Sequence, residues 1–187
     1  VAWFGGGIDL TPHILEEQEA EWFHRQLKEI CDKFNPFFYP EYKKWADDYY
    51  FLPHRDETRG VGGIFFDRLK PGEVNSFDTL FQFTLELAKA YPVIYAEFMK
   101  NNHSKPFSER EKKWQNLRRG RYVEFNLFHD RGTKFGLESG GNTESILSSL
   151  PVNASWEFNY QPEPGGFEEK TQNLLKKDID WINSGNK

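Results

Sequence analysis

A single cysteine, Cys31, is all the thiol the chain carries, which excludes an internal disulfide and suits a reducing compartment. Neither CxxC nor HExxH occurs, so two common local zinc signatures are absent. No apolar run approaches the roughly 20 residues a helix needs to cross a bilayer, and this removes a transmembrane span. Positive charge is not in excess either: 24 Lys and Arg against 29 Asp and Glu give a net charge of -5, which leaves no footprint for nucleic acid. The triple glycine at 5–7 lacks the G-x-G-x-x-G spacing and the strand-helix unit of a dinucleotide site. Internal repeats, low-complexity tracts and interdomain linkers are also missing; the Pro/Gly-rich stretch 161–166 leads only into a terminal helix. At 187 residues the default is one domain, 1–187, long enough to bury a core.

Aromatic residues are in excess, at 17% of the chain with 18 Phe and 6 Trp, and most must fill a Phe-rich core. Thr11 and Pro12 supply an N-cap and a first-turn residue for a helix running to about Lys33, with Phe23, Leu27, Ile30 and Phe34 at helical spacing and His24 at the border of that stripe. A short helix is expected over 41–47. Aromatic, strand-like runs at 49–52 and 62–66 flank the charged HRDETRG turn. Ser76 caps a long amphipathic helix that Pro92 could interrupt, and Ser108 with Glu111 forms a capping box for the next one. Val123, Phe125 and Leu127 alternate with Tyr122, Glu124, Asn126 and Phe128, so 121–129 reads as a strand. A helix at 143–149, a strand at 154–160 and a helix at 167–182 complete the pattern. Strands and helices mix without regular crossover units, which predicts an α+β fold with antiparallel pairing. Arg118, Arg119 and Arg121 read as a solvated helix end or a subunit contact.

The densest chemistry lies in KKWADDYYFLPHRDETRGVGGIFFD, residues 43–67, where His54, Arg55, Glu57 and Arg59 crowd between aromatic runs. Guanidinium forks, an imidazole and apolar faces together suit a flat ligand that bears carboxylates. Arg59, followed by Gly60, Val61, Gly62 and Gly63, is either a structural ion-pair partner or a bidentate clamp for a ligand carboxylate. Arg55 and Glu57 read as mutual ion-pair partners that fix the turn. Asp9, after Gly5, Gly6, Gly7 and Ile8, is either an exposed lead into a helix or a carboxylate beside a backbone that a ligand can approach closely. His24 and His54 could orient substrate, serve structure or share a metal, although two imidazoles alone fall short of a zinc site. Gly140, Gly141 and Asn142 precede a helix, so their amides could meet an anion or merely form a turn with an Asn cap.

Residues 43–67 closely resemble the signature of the oxygen-dependent coproporphyrinogen III oxidases, K-x-W-C, three aromatics, H-R-x-E-x-R-G and G-G-x-F-F-D, with Ala46 where that family usually has Cys. WFGGGIDLTP (3–12) and GRYVEFNLFHDRGTKFGLESGGNTESILSSL (120–150) resemble two further family blocks in the family order. The resemblance implies a large, flat antiparallel β-sheet covered by α-helices on both faces. It also implies that a chain opening at Val1 is the C-terminal portion of a domain whose N-terminal part is missing. The implied reaction turns the ring A and B propionates of coproporphyrinogen III into vinyl groups, with release of carbon dioxide. Molecular oxygen is the co-substrate and leaves as hydrogen peroxide; no cofactor is required. Asp9 and Arg59 become the catalytic and substrate-binding pair, Gly140, Gly141 and Asn142 further substrate contacts, and His54, Arg55 and Glu57 supports. Asn142 stands where the family often has Arg. Some bacterial members have four-histidine metal sites, and this keeps a divalent metal at His24 and His54 as an alternative. A homodimer with its interface within 120–154 is implied, in the cytoplasm, or in the mitochondrial intermembrane space if a transit peptide is lost. A non-catalytic tetrapyrrole-binding paralogue of the same fold is the alternative function.

Overall fold

The computed structural model describes residues 2–72 and 75–183. Helices dominate it, and the strands form two separate two-stranded ladders. The chain runs β1 (Phe4–Asp9), α1 (Glu17–Asp32), α2 (Phe38–Tyr49), β2 (Phe51–Leu52), β3 (Glu57–Thr58), β4 (Gly63–Leu69), α3 (Phe77–Asn102), α4 (Glu109–Phe128), α5 (Arg131–Glu138), α6 (Thr143–Leu147) and α7 (Phe167–Leu174). β1 pairs antiparallel with β4, Asp9 opposite Gly63, and β2 pairs antiparallel with β3. The expected large flat sheet covered on both faces is therefore not what the described residues form.

The correction has a local cause at α4. Residues 121–128, which alternate like a strand, continue a helix that Ser108 and Glu111 open with the expected capping box. Its buried face is Trp114, Leu117, Arg118, Glu124 and Phe125, a 3.6-residue period in which charged side chains take apolar places. A hydrophobicity pattern cannot see such a face. Arg118 and Arg121 are accordingly not a solvated cluster: they turn inward to Glu57 and Glu124. Residues 154–160 form no strand, and the last helix stops at Leu174.

α1 also begins later than Thr11 and Pro12 suggest. Residues 10–15 are held by partners elsewhere in the fold: Leu10 N–H donates to Gly62 O (3.0 Å), Val61 N–H to Leu10 O (3.0 Å) and Leu15 N–H to Thr171 Oγ1 (3.2 Å). From Glu17 onward Ala20, Phe23, His24, Leu27, Ile30 and Cys31 line one buried face. α3 runs through Pro92 without a break; both Pro92 and Ala88 are exposed, so water can take the carbonyl that the proline cannot serve.

The main core joins α1, α2, α3 and the β1–β4 ladder around Phe23, Leu27, Ile64, Phe66, Leu80 and Phe83. A smaller cluster of Ala46, Tyr50, Leu52 and Phe125, with Tyr49 and Phe65 against it, joins α2 to α4. Glycine sets the spacing where β1 meets the loop before β4. A Cβ at Gly63 would lie 1.9 Å from Ile8 O, and one at Gly60 would lie 2.3 Å from Leu10 O.

Candidate functional site

Close backbone packing at Gly60 and Gly63 brings Asp9, at the end of β1, against Arg59. An Arg59 Nη donates to Asp9 Oδ2. The Arg59 side chain is 8% exposed and that of Asp9 27%, so the carboxylate faces outward while its cation is walled in. The walls are aromatic: Arg59 Cζ lies 4.2 Å from the Tyr50 ring centre, 4.9 Å from that of Phe125 and 5.1 Å from that of Tyr122. Stacked rings stabilise a desolvated guanidinium and fix its plane. Arg59 Nε is buried without a hydrogen-bond partner. Burial, then the charge of Asp9, pushes the Tyr50 phenol above its ordinary range, so Tyr50 acts as a neutral wall.

A second set of charges lies between the 54–57 turn and α4. Glu124 accepts from Arg55 Nε (2.9 Å) and Nη2 (2.6 Å), His54 Nε2 (2.8 Å), Arg121 Nη1 (3.1 Å) and Trp156 Nε1 (2.8 Å). Burial alone would raise this carboxyl, but those donors outweigh it and hold the pKa at about 2. Glu57, also buried, accepts from Arg118 Nη1 at 2.7 Å, with Arg121 Nε 3.5 Å away. Arg55 and Glu57 thus serve α4 rather than each other. His54 keeps a side chain 43% exposed, and its Nδ1 lies 3.5 Å from His129 Nε2.

His24 does not approach this set. It is fully buried, with Nε2 2.9 Å from Val61 O and Nδ1 3.0 Å from Tyr39 OH. A carbonyl can only accept, so Nε2 carries the proton and Nδ1 accepts from the tyrosine. Burial, helped by the charge of Lys43, lowers its pKa to about 4 despite the bond to Val61. The neutral ring therefore ties α1 to the loop that carries Arg59. Among the described residues no group of three or more His, Cys, Asp or Glu side chains could hold a metal.

Gly140, Gly141 and Asn142 form an exposed helix-to-helix turn. Gly140 has φ +74, Gly141 N–H donates to Gly136 O (2.9 Å), and Asn142 Oδ1 caps α6 by accepting from Ser145 N–H (2.8 Å). Asp130 caps α5 through Thr133 N–H (2.6 Å) and accepts from Tyr49 OH (2.9 Å). Sequence reasoning missed Tyr50, Tyr122 and Phe125 as the box around Arg59, and Glu124 as the hub of the second cluster. Reading α4 as a helix from its capping box would have put Arg118, Arg121, Glu124 and Phe125 on one face.

A ring-walled arginine and a partly open carboxylate, both fixed by glycine-enforced packing, form a site that presents an acceptor to an N–H-bearing ligand. A family model described as coproporphyrinogen III oxidase matches residues 1–181, and the chain belongs to that family. It is 51% identical over 180 residues to the oxygen-dependent coproporphyrinogen-III oxidase of Francisella tularensis subsp. holarctica (strain LVS), covering 96% of this chain and 57% of the relative. A similar 51% identity over 180 residues relates it to the Francisella philomiragia protein of that name. The chloroplastic protein of that name from Hordeum vulgare is 48% identical over 180 residues, 96% of this chain and 45% of its own. The chain thus spans about half the length of these curated relatives. No helix among the described residues is long and apolar enough to cross a membrane.

Proposed function

We propose that the protein takes part in oxygen-dependent oxidative decarboxylation of coproporphyrinogen III to protoporphyrinogen IX. Each turn converts one propionate into a vinyl group and carbon dioxide while oxygen takes two electrons and two protons to become hydrogen peroxide. The observation that carries this reading is the Asp9–Arg59 pair, an outward-facing carboxylate backed by a guanidinium inside an aromatic box. The names of the curated relatives supply the substrate.

On this reading Asp9 accepts pyrrole N–H groups and holds the proton whose loss makes the reduced tetrapyrrole reactive towards oxygen. Arg59 orients Asp9 through their hydrogen bond and can share its fork with a substrate carboxylate. The protein then contributes positioning, proton handling and exclusion of water, with no organic cofactor needed. Gly140, Gly141 and Asn142 stay with the proposal as backbone contacts, since the Asn142 side chain is occupied as a cap. A divalent metal shared by His24 and His54 fits less well, because both ring nitrogens of His24 are already hydrogen-bonded.

A homodimer built on 120–154 is supported by apolar side chains left exposed there: Phe128, Phe135 and Val152. Cytoplasmic residence is part of this reading and suits a chain whose one cysteine, Cys31, can form no internal disulfide.

The test is to mix the purified protein with coproporphyrinogen III without oxygen, admit oxygen, and follow protoporphyrin fluorescence after oxidation together with hydrogen peroxide. Oxygen-dependent product in step with peroxide is expected. Tight binding of the substrate without any product would overturn the activity in favour of a tetrapyrrole-binding role.

A further inference from the structure

A groove of about 220 Å³ lies beside the Asp9–Arg59 pair, lined by Thr11, His13, Arg119, Tyr122, Ser149 and Pro151. Two of its lining residues lead to the pair. Tyr122 is one of the rings against Arg59, and Thr11 follows Asp9 by two residues. Arg119 is half-buried, yet no hydrogen bond or ion pair engages its guanidinium among the described residues. Its neighbours Arg118 and Arg121 both have carboxylate partners. The Thr11 and Tyr122 hydroxyls likewise have no hydrogen-bond partner among those residues.

The charge of Arg119, unlike those of Arg118 and Arg121, is not cancelled by a carboxylate among the described residues. Burial first, then Arg119, Arg118 and Lys112, lowers His13 to about 4, so its ring is neutral at pH 7. A half-buried cation with no acceptor is unfavourable in the empty protein and favourable once an anion arrives. No acidic side chain lines the groove to compete for it.

We propose that this groove binds a carboxylate arm of the substrate, with Arg119 as its counter-ion and the Thr11 and Tyr122 hydroxyls as further donors. This rests on the tetrapyrrole reading above and adds a second anchoring point to it. A carboxylate held there, with the ring system lying across Tyr122, fixes which edge of the macrocycle meets Asp9. Arg119 is a positioning residue and takes no part in bond making.

The experiment compares the purified protein with Arg119→Gln and Arg119→Lys. Binding of oxidised coproporphyrin III and of its tetramethyl ester, which lacks free carboxylates, is followed by fluorescence, and steady-state turnover is measured beside it. Loss of one charge-assisted contact should weaken coproporphyrin III and raise KM about tenfold in Arg119→Gln, with kcat little changed, while the ester is held as before. Arg119→Lys should restore part of the affinity. The melting temperature should hold in both variants, since Arg119 anchors nothing in the folded chain. Unchanged coproporphyrin binding, an equal loss for acid and ester, or a fall in melting temperature that accounts for the loss would overturn the proposal. Arg119-dependent binding in a protein without turnover would overturn the activity and leave the groove; turnover indifferent to Arg119 would do the reverse.

Discussion

Two carboxylates near the 54–59 turn are treated in opposite ways by the same fold. Glu124 is closed off, 7% exposed, with four side chains donating to it. Asp9 has Arg59 and the Tyr50 hydroxyl at its back, with more than a quarter of its side chain open. A carboxylate with all its lone pairs served is held as an anion and has little left to offer a ligand, so its role is to fasten the turn to α4. A carboxylate served from one side only keeps a face for new donors. The number of donors already engaged is thus what sets the two carboxylates apart.

The largest expected effect is on the open member. Asp9→Asn should lower kcat by about a hundred- to ten-thousand-fold, the range for a group that handles a proton in the transition state, with a smaller loss of stability than Glu124→Gln because the amide oxygen still accepts from Arg59. Near-normal turnover would break the contrast. Glu124→Gln should do the opposite and act on stability, at about 3 kcal/mol for opening a closed ion-pair cluster, read from denaturant unfolding.

Acid sharpens the difference further. His24 has a folded pKa of about 4, below its ordinary 6.5, so the unfolded chain binds a proton first and stability falls as pH drops from 6.5 towards 4. Glu124, at about 2 instead of 4.5, adds stability above 4.5 that is lost as pH falls from there towards 2. Glu124→Gln should remove the second loss and leave the first, as measured by unfolding at stepped pH.

Arg59→Lys keeps the charge behind Asp9 but loses the flat fork among the rings. It should cut kcat/KM by about ten- to a hundredfold, as expected for a charge-assisted contact. The smallest effect belongs to the exposed turn: Asn142→Ala should cost about 1 kcal/mol of local stability through its cap, seen as faster amide exchange in α6. A loss of turnover well beyond that would promote Asn142 from cap to substrate contact.

The ionic crowding of the 54–59 turn was legible because its residue types are unusual at that density, whereas the three glycines before Asp9 left an exposed lead and a ligand-facing carboxylate equally open. The long helices α1 and α3 were legible from apolar stripes, and α4 from its capping box alone. The rest was hidden for physical reasons. Arg118, Arg121 and Glu124 are charged residues on a buried face, and only partners distant in sequence make that burial favourable. The start of α1 depends on bonds from residues 10–15 to Gly62, Val61 and Thr171, which no local propensity encodes. The sheet was overestimated for a related reason: the alternation of Val123, Phe125 and Leu127 that makes 121–129 look like a strand lies in a helix whose charged positions find counter-ions.

The hydrogen bond from His24 to Val61 also makes that ring a spectroscopic beacon. An imidazole N–H sealed from water and held by a carbonyl exchanges slowly with solvent, so its proton resonance should survive where those of exposed histidines such as His103 are bleached. Val61 lies two residues beyond Arg59, so the signal would report on the loop from inside the core. Ligand binding at Asp9 could then be followed without a label, by a proton that never meets the ligand.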